Sequence, residues 1–238
     1  MKSSLESGRV RTIAISGALA FAASLIAGGY AYAVSYGETA VSETSTRSIA
    51  IDLLLFSAFG LHHSLFARDG VKRRVRAWVG PELERSVYVW VASVFFAAMT
   101  WWWQPIAGVL WRAGGVVGWL LMLVQLGGAV LMLAAGRLSD VRGLAGLGSA
   151  AARPDIAMSE PISRGPYAVV RHPLYLAFLL LLWPVQVMTG TRLLFAALFT
   201  AYVLIAIPLE ERDLRRTFGP AYEQYARRVR TRLIPGLY

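Results

Sequence analysis

The chain of 238 residues is 56% hydrophobic and only 16% charged, against roughly 25% charged in an ordinary soluble domain, and its apolar residues fall in blocks that approach or exceed the ~18 residues of a membrane-crossing helix. The net charge of +10 does not point to nucleic acid, because the basic residues are sorted along those blocks in the manner of a membrane topology. With no cysteine, disulfides, thiolate nucleophiles, iron–sulfur clusters and cysteine-ligated zinc are excluded, so any sulfur chemistry belongs to a substrate or cofactor.

Six spans are expected, near residues 12–35, 48–66, 86–103, 114–135, 173–188 and 191–209. The side that holds the N-terminal tail, the 67–85 loop, the 136–172 loop and the C-terminal tail carries 21 of the 24 Lys and Arg, and only Arg47, Arg112 and Arg192 fall on the other. By the positive-inside rule both termini are then expected on the cytoplasmic side. The first block follows Lys2, Arg9 and Arg11 and ends in Ala31-Tyr32-Ala33, which resembles a signal-peptide cleavage site. Its length favours a retained first helix. The second block ends in His62-His63. The third ends in Trp101-Trp102-Trp103 before Pro105, an aromatic belt at the interface. In the fourth, Gly114 and Gly118 form a GxxxG that allows close helix approach.

The 136–172 segment is too long for a turn and too polar to cross. Its glycines, Gly143, Gly146 and Gly148, make no dinucleotide fingerprint, because an apolar helix and not a strand precedes them. An ordered cap is expected there. Next, GPYAVVRHPLYL places Pro173 at the first turn of a helix, where its missing N–H is harmless. Arg171 and His172 then sit at a helix N-terminus that favours an anionic group. The fifth and sixth blocks turn back at Thr189-Gly190-Thr191. His172 lies 18 residues before Gly190 and Glu210 lies 20 after it. At 1.5 Å per helical residue both sit roughly 27–30 Å from the turn, at one membrane depth. Arg171 offers a bidentate donor to a carboxylate or phosphate, and Glu210 an acceptor for an amine. Tyr167 and Tyr175 add aromatic surface, and the set suits a zwitterionic ligand with an aromatic part. Taken singly, Arg171 also fits ordinary positive-inside placement, His172 a carbonyl partner and the tyrosines interface anchors. Beyond residue 209, Leu214, Phe218, Tyr222, Tyr225 and Val229 recur at spacings of three and four, broken by Gly219-Pro220. That pattern reads as one or two amphipathic surface helices. The acids Glu210, Glu211 and Asp213 cluster where the last span exits.

The expected fold class is therefore all-α, a polytopic transmembrane helical bundle of about six spans, with a cytoplasmic loop and an amphipathic C-terminal helix that cap a cofactor site. Residues 1–135 form the substrate side and residues 136–238 the cofactor-binding module.

GPY-x3-RHPLY, the helical hairpin and EERDLRRTFGPAYEQYARRV together resemble the C-terminal half of the isoprenylcysteine carboxyl methyltransferase-like superfamily, which includes phospholipid methyltransferases. The resemblance runs from about Ser159 to Pro235. HHSLFARDGVKR, LERSVYVWVASVFFAAMTWWWQPI and MTGTRLLFAALFTAYVLIAIPLEERDL are similar to the methanethiol S-methyltransferase and NnrU-type branch. The resemblance implies S-adenosylmethionine as cofactor. Carried over by position, it would contact Ser159, Glu160, Pro161 and Ile162, then Tyr167, His172, Pro173, Leu174 and Tyr175, and finally Glu210, beside the Arg171 read from the residues. One departure is Ala206, where the prenylcysteine enzymes have a substrate-binding arginine. The resemblance further implies His63 as a general base for a small thiol, or as a structural histidine bonded to a neighbouring helix. Asp140 orients His63 or bonds the loop backbone. His62 has no counterpart. The methyl acceptor is a small thiol such as methanethiol. The alternatives are a lipid or isoprenylcysteine-like amphiphile entering from the bilayer, or a non-catalytic or reductase-like membrane relative.

Overall fold

A computed structural model describes residues 2–41, 43–66, 68–139 and 160–238. Asp140 and Ser159 lie outside the described residues. Eight helices dominate the described chain: α1 (Lys2–Ala33), α2 (Thr46–Phe66), α3 (Asp69–Val79), α4 (Glu84–Trp102), α5 (Gly115–Leu138), α6 (Pro173–Leu182), α7 (Gly190–Phe218) and α8 (Pro220–Arg228). Two short strands, β1 (Val109–Arg112) and β2 (Val187–Thr189), form an antiparallel pair.

The helices fall into two compact units, one holding α1 to α4 and the other β1 to α8. In the first unit α4 packs on α1 and α2. Two glycines of α1 admit its aromatic side chains. A Cβ on Gly17 would lie 3.1 Å from Trp90, and one on Gly28 only 2.6 Å from Phe96. The chain after α4 is tied down by side chains. Asp52, fully buried on α2, accepts from the Gln104 N–H at 2.7 Å, and the Ala107 N–H donates to Thr44 at 2.8 Å. Trp101 and Trp102 are exposed, as interface anchors are, but Trp103 turns inward against Tyr36.

In the second unit α5 packs along α6. The close approach is at Gly128, where a Cβ would lie 2.9 Å from the Leu180 side chain and 3.2 Å from the Ala177 carbonyl. Gly118 of the expected GxxxG does something else. It makes room for the Ala113 carbonyl and the Gln186 side chain.

Among the described residues, four helices are long and apolar enough to cross a membrane: Gly8–Gly37, Thr46–Phe66, Gly115–Leu138 and Gly190–Phe218. The expected third span is the 19-residue α4, which opens with Glu84-Arg85. The expected fifth span needs correction. A helix over 173–188 is not what forms, because α6 ends after ten residues at Leu182. Pro184 has no N–H with which to continue the helix, so Trp183, still helical in its own backbone, is the C-cap residue. The chain bends through residues 183–186 before β2, and Thr189 caps α7 by accepting from the Arg192 N–H at 3.2 Å. The β1–β2 pairing, with Trp111 opposite Met188 and the Trp111 indole donating to the Val185 carbonyl at 2.9 Å, satisfies backbone groups that a helix would have satisfied internally.

Replacing Gly128 by leucine should overpack the α5–α6 contact and cost about 1–3 kcal/mol. We expect a lowered Tm of detergent-solubilised protein for Gly128→Leu and little change for Gly127→Leu, since a Cβ at Gly127 meets nothing within 4 Å.

Candidate functional site

At the N-terminus of α6, His172 is the N-cap residue and Pro173 occupies the first turn. The preceding backbone is clamped by the C-terminal tail. The Arg171 N–H donates to the Thr231 carbonyl at 3.0 Å and the His172 N–H to the Arg232 carbonyl at 2.9 Å. Leu233, the residue after that clamp, is buried with Leu179, Val203 and Ile207.

Beneath this segment lies Glu211, with 0% of its side chain exposed. Its carboxylate receives Arg171 Nε at 2.7 Å, Arg232 Nε at 3.4 Å and Arg215 Nη2 at 3.5 Å, and His172 Nε2 lies 3.4 Å away. A buried carboxylate is tolerated only when its charge is matched in this way. Arg171 uses its remaining reach on the backbone, donating to the carbonyls of Val229 at 2.7 Å and Arg230 at 3.0 Å. The donor read in sequence as facing a ligand carboxylate is held by the protein itself.

Glu210 behaves differently. Its side chain is 45% exposed, and its one ionic partner among the described residues is His172 Nδ1 at 3.7 Å. The spacing argument for His172 and Glu210 therefore ends in contact. The His172 ring stacks on Tyr175 at 5.7 Å with the planes 17° apart.

Tyr167 sits in a 3₁₀ turn, Gly165–Ala168. Gly165 has a φ of 59°, and a Cβ there would lie 2.8 Å from Leu138, so glycine alone fits. The Tyr167 hydroxyl pairs with the Ser139 hydroxyl at 2.8 Å, joining the turn to the end of α5, and its carbonyl accepts from the Tyr225 hydroxyl at 2.8 Å. Burial pushes the phenols of Tyr167 and Tyr225 up and that of Tyr222, with the Glu211 charge adding to the effect, to about 12. All three stay neutral at ordinary pH. Glu160 is exposed, and Pro161, Ile162 and Leu174 are half-buried.

Tyr167, Arg171, His172, Pro173, Tyr175 and Glu210 thus gather at one end of the second unit. Sequence reasoning missed Glu211, Tyr225 and Arg232. The signal for Glu211 was present: Val203, Ile207 and Glu211 are four residues apart and all fully buried, so the carboxylate continues the apolar ridge of α7. His63 and His62 belong to the first unit. His63 Nδ1 pairs with the Tyr88 hydroxyl of α4 at 2.7 Å. His62 is buried and stacked against Phe95 and Phe66, at 5.1 and 4.5 Å.

The phospholipid methyltransferase family profile matches residues 116–221. A protein named methanethiol S-methyltransferase 2 from Bradyrhizobium diazoefficiens is 38% identical over 195 residues, covering 81% of this chain and 75% of that protein. The methanethiol S-methyltransferase of Mycobacterium tuberculosis is 34% identical over 232 residues, covering 90% and 93%. Nurim from Mus musculus is 32% identical over 191 residues, covering 71% and 68%. No solved structure matches.

The two adjacent glutamates should separate in a stability measurement. Glu211→Gln leaves buried arginine charge unmatched, and a loss of about 3–5 kcal/mol is expected. Glu210→Gln, half-exposed, should leave the Tm nearly unchanged. Thermal unfolding in detergent reads both.

Proposed function

The chain belongs to the phospholipid methyltransferase family and is a membrane methyltransferase, and on that premise we propose that it moves a methyl group from S-adenosylmethionine to the sulfur of a small thiol such as methanethiol. The observation that carries the cofactor reading is the division between the two glutamates. Glu211 takes up Arg171 and anchors the segment, which leaves Glu210 exposed beside His172. The relatives named for methanethiol carry the acceptor reading.

The residues suit a zwitterion with an aromatic base. Glu210 would receive the ammonium group. The ring pair of His172 and Tyr175 offers flat apolar surface, and Tyr167 a hydroxyl and a ring edge. Arg215 and Arg232, each more than a third exposed at the rim, favour the ligand's carboxylate through their field. Arg171 acts through Glu211 as a positioning residue. When bound, S-adenosylmethionine supplies a sulfonium methyl carbon open to in-line displacement. The chain's task is then to orient the acceptor sulfur, keep water out and take up a proton. His63, whose Nδ1 pairs with the Tyr88 hydroxyl, is the residue proposed to accept that proton. The distribution of Lys and Arg supports cytoplasmic termini and a cytoplasmic mouth for the site, in a bacterial inner membrane.

Calorimetry on detergent-solubilised protein tests the cofactor reading. Wild type should bind S-adenosylmethionine. Glu210→Gln should weaken Kd about tenfold, or 1.4 kcal/mol, with an unchanged Tm. A wild type that releases no binding heat sinks the reading. The acceptor is read with a radiolabelled methyl donor: label in volatile sulfide supports a thiol. Label in the lipid extract would favour the second reading, a lipid acceptor, which the phospholipid methyltransferase match supports.

For His63→Ala we expect kcat to fall by about 10²–10⁴ with the cofactor Kd unchanged. Parallel loss of both would assign His63 to structure alone.

A further inference from the structure

Helix α3 takes no part in the site described above, yet its surface is the most polarised in the first unit. Val71, Val75 and Val79, at spacings of four, form a half-buried stripe. Trp78 sits beside this stripe with 90% of its surface exposed. Next to it Arg68, Arg73 and Arg74, with Gly70, Val71 and Ala77, line a shallow cleft of about 420 Å³. Arg76 is engaged by Glu84 at the start of α4. Among the described side chains no carboxylate matches Arg68, Arg73 or Arg74.

Three guanidinium groups around one cleft, with no carboxylate partner among the described side chains, suit a phosphate, since the guanidinium fork fits phosphate oxygens. The position of α3 selects the source. It leaves α2, a membrane-crossing helix, after two residues, and α4 follows within five. A helix so tethered lies at the lipid boundary. A tryptophan 90% exposed there is out of place in water but suited to the headgroup layer, where tryptophans concentrate. Arg74 and Trp78 are four residues apart and so neighbours on the helix surface. The same surface therefore offers phosphate-binding charge and an interfacial anchor together, a pairing typical of helices that lie on anionic membranes.

We propose that α3 is an interfacial helix whose Arg68–Arg73–Arg74 cleft holds the phosphate of an anionic phospholipid, with Trp78 seated among the adjoining headgroups. The site is independent of the methyltransferase reading and involves none of its residues.

The test uses the full chain in nanodiscs of phosphatidylcholine, with or without added phosphatidylglycerol, reading Tm and, by native mass spectrometry, retained lipid. Phosphatidylglycerol should raise the wild-type Tm by several degrees and be retained several-fold over phosphatidylcholine. The double variant R73Q/R74Q should lose most of both effects. R47Q, which removes one charge from the opposite end of α2, should keep them. Inorganic phosphate added to phosphatidylcholine discs should not reproduce the rise. The proposal is overturned if wild type gains nothing from phosphatidylglycerol, if R73Q/R74Q gains as much as wild type, if R47Q loses as much as the double variant, or if free phosphate alone gives the full rise.

Discussion

The carboxylate of Glu211 is the constraint on which the C-terminal unit is built. It lies on the apolar ridge of α7 and is fully buried, so its charge must be matched by groups brought to it. Those groups come from three places: Arg171 and His172 before α6, Arg215 one turn along α7, and Arg232 in the tail. Satisfying one buried charge therefore fixes the start of α6, the end of α7 and the path of the last residues relative to one another. The tail then lays its carbonyls against the N–H groups of Arg171 and His172, and Leu233 enters the core beside Val203 and Ile207. The electrostatic and apolar contacts act on the same segments.

This node also decides what faces outward. Adjacent positions on a helix point about 100° apart. With Glu211 inward, Glu210 turns to the surface and keeps His172 as its one ionic partner among the described residues. Arg171, by contrast, is drawn away from the surface by Glu211 and two carbonyls. A site that looked in sequence like an arginine opposite a glutamate is a buried arginine–glutamate pair supporting an exposed glutamate and a histidine.

Much of this was legible, for reasons that differ by element. Block hydropathy located the lipid-facing helices because the bilayer imposes a length. Pro173 and Gly219-Pro220 marked helix boundaries because proline restricts backbone geometry locally. The juxtaposition of His172 and Glu210 was legible because equal lengths of chain leave and return to one turn. What failed was the assumption that the outgoing leg is helical throughout. Pro184 stops α6, and the chain bends through residues 183–186 before β2, which pairs with a strand some 75 residues earlier in the chain. No local pattern announces a three-residue strand whose partner is so distant. The choice between Glu210 and Glu211 was open to inspection, through the spacing from Val203, but a cluster of acids at a membrane exit reads first as solvated charge.

The same lesson applies to the basic residues. Counting Lys and Arg by side treats them as one population that sets orientation. The structure divides them by burial and partner. Arg171 is a buried counterion and backbone cap. Arg215 and Arg232 bridge Glu211 to the surface, Arg215 reaching Glu223 as well, at 2.9 Å. Arg76 ties α3 to α4. Arg68, Arg73 and Arg74 remain open to the outside. An arginine that balances a buried carboxylate contributes less to the field a lipid or ligand feels than an unmatched one does. The effective positive surface is therefore smaller than the formal +10 suggests and is concentrated at α3 in the first unit, where Arg68, Arg73 and Arg74 have no carboxylate partner among the described side chains, and at the partly exposed Arg215 and Arg232 beside Glu211 in the second.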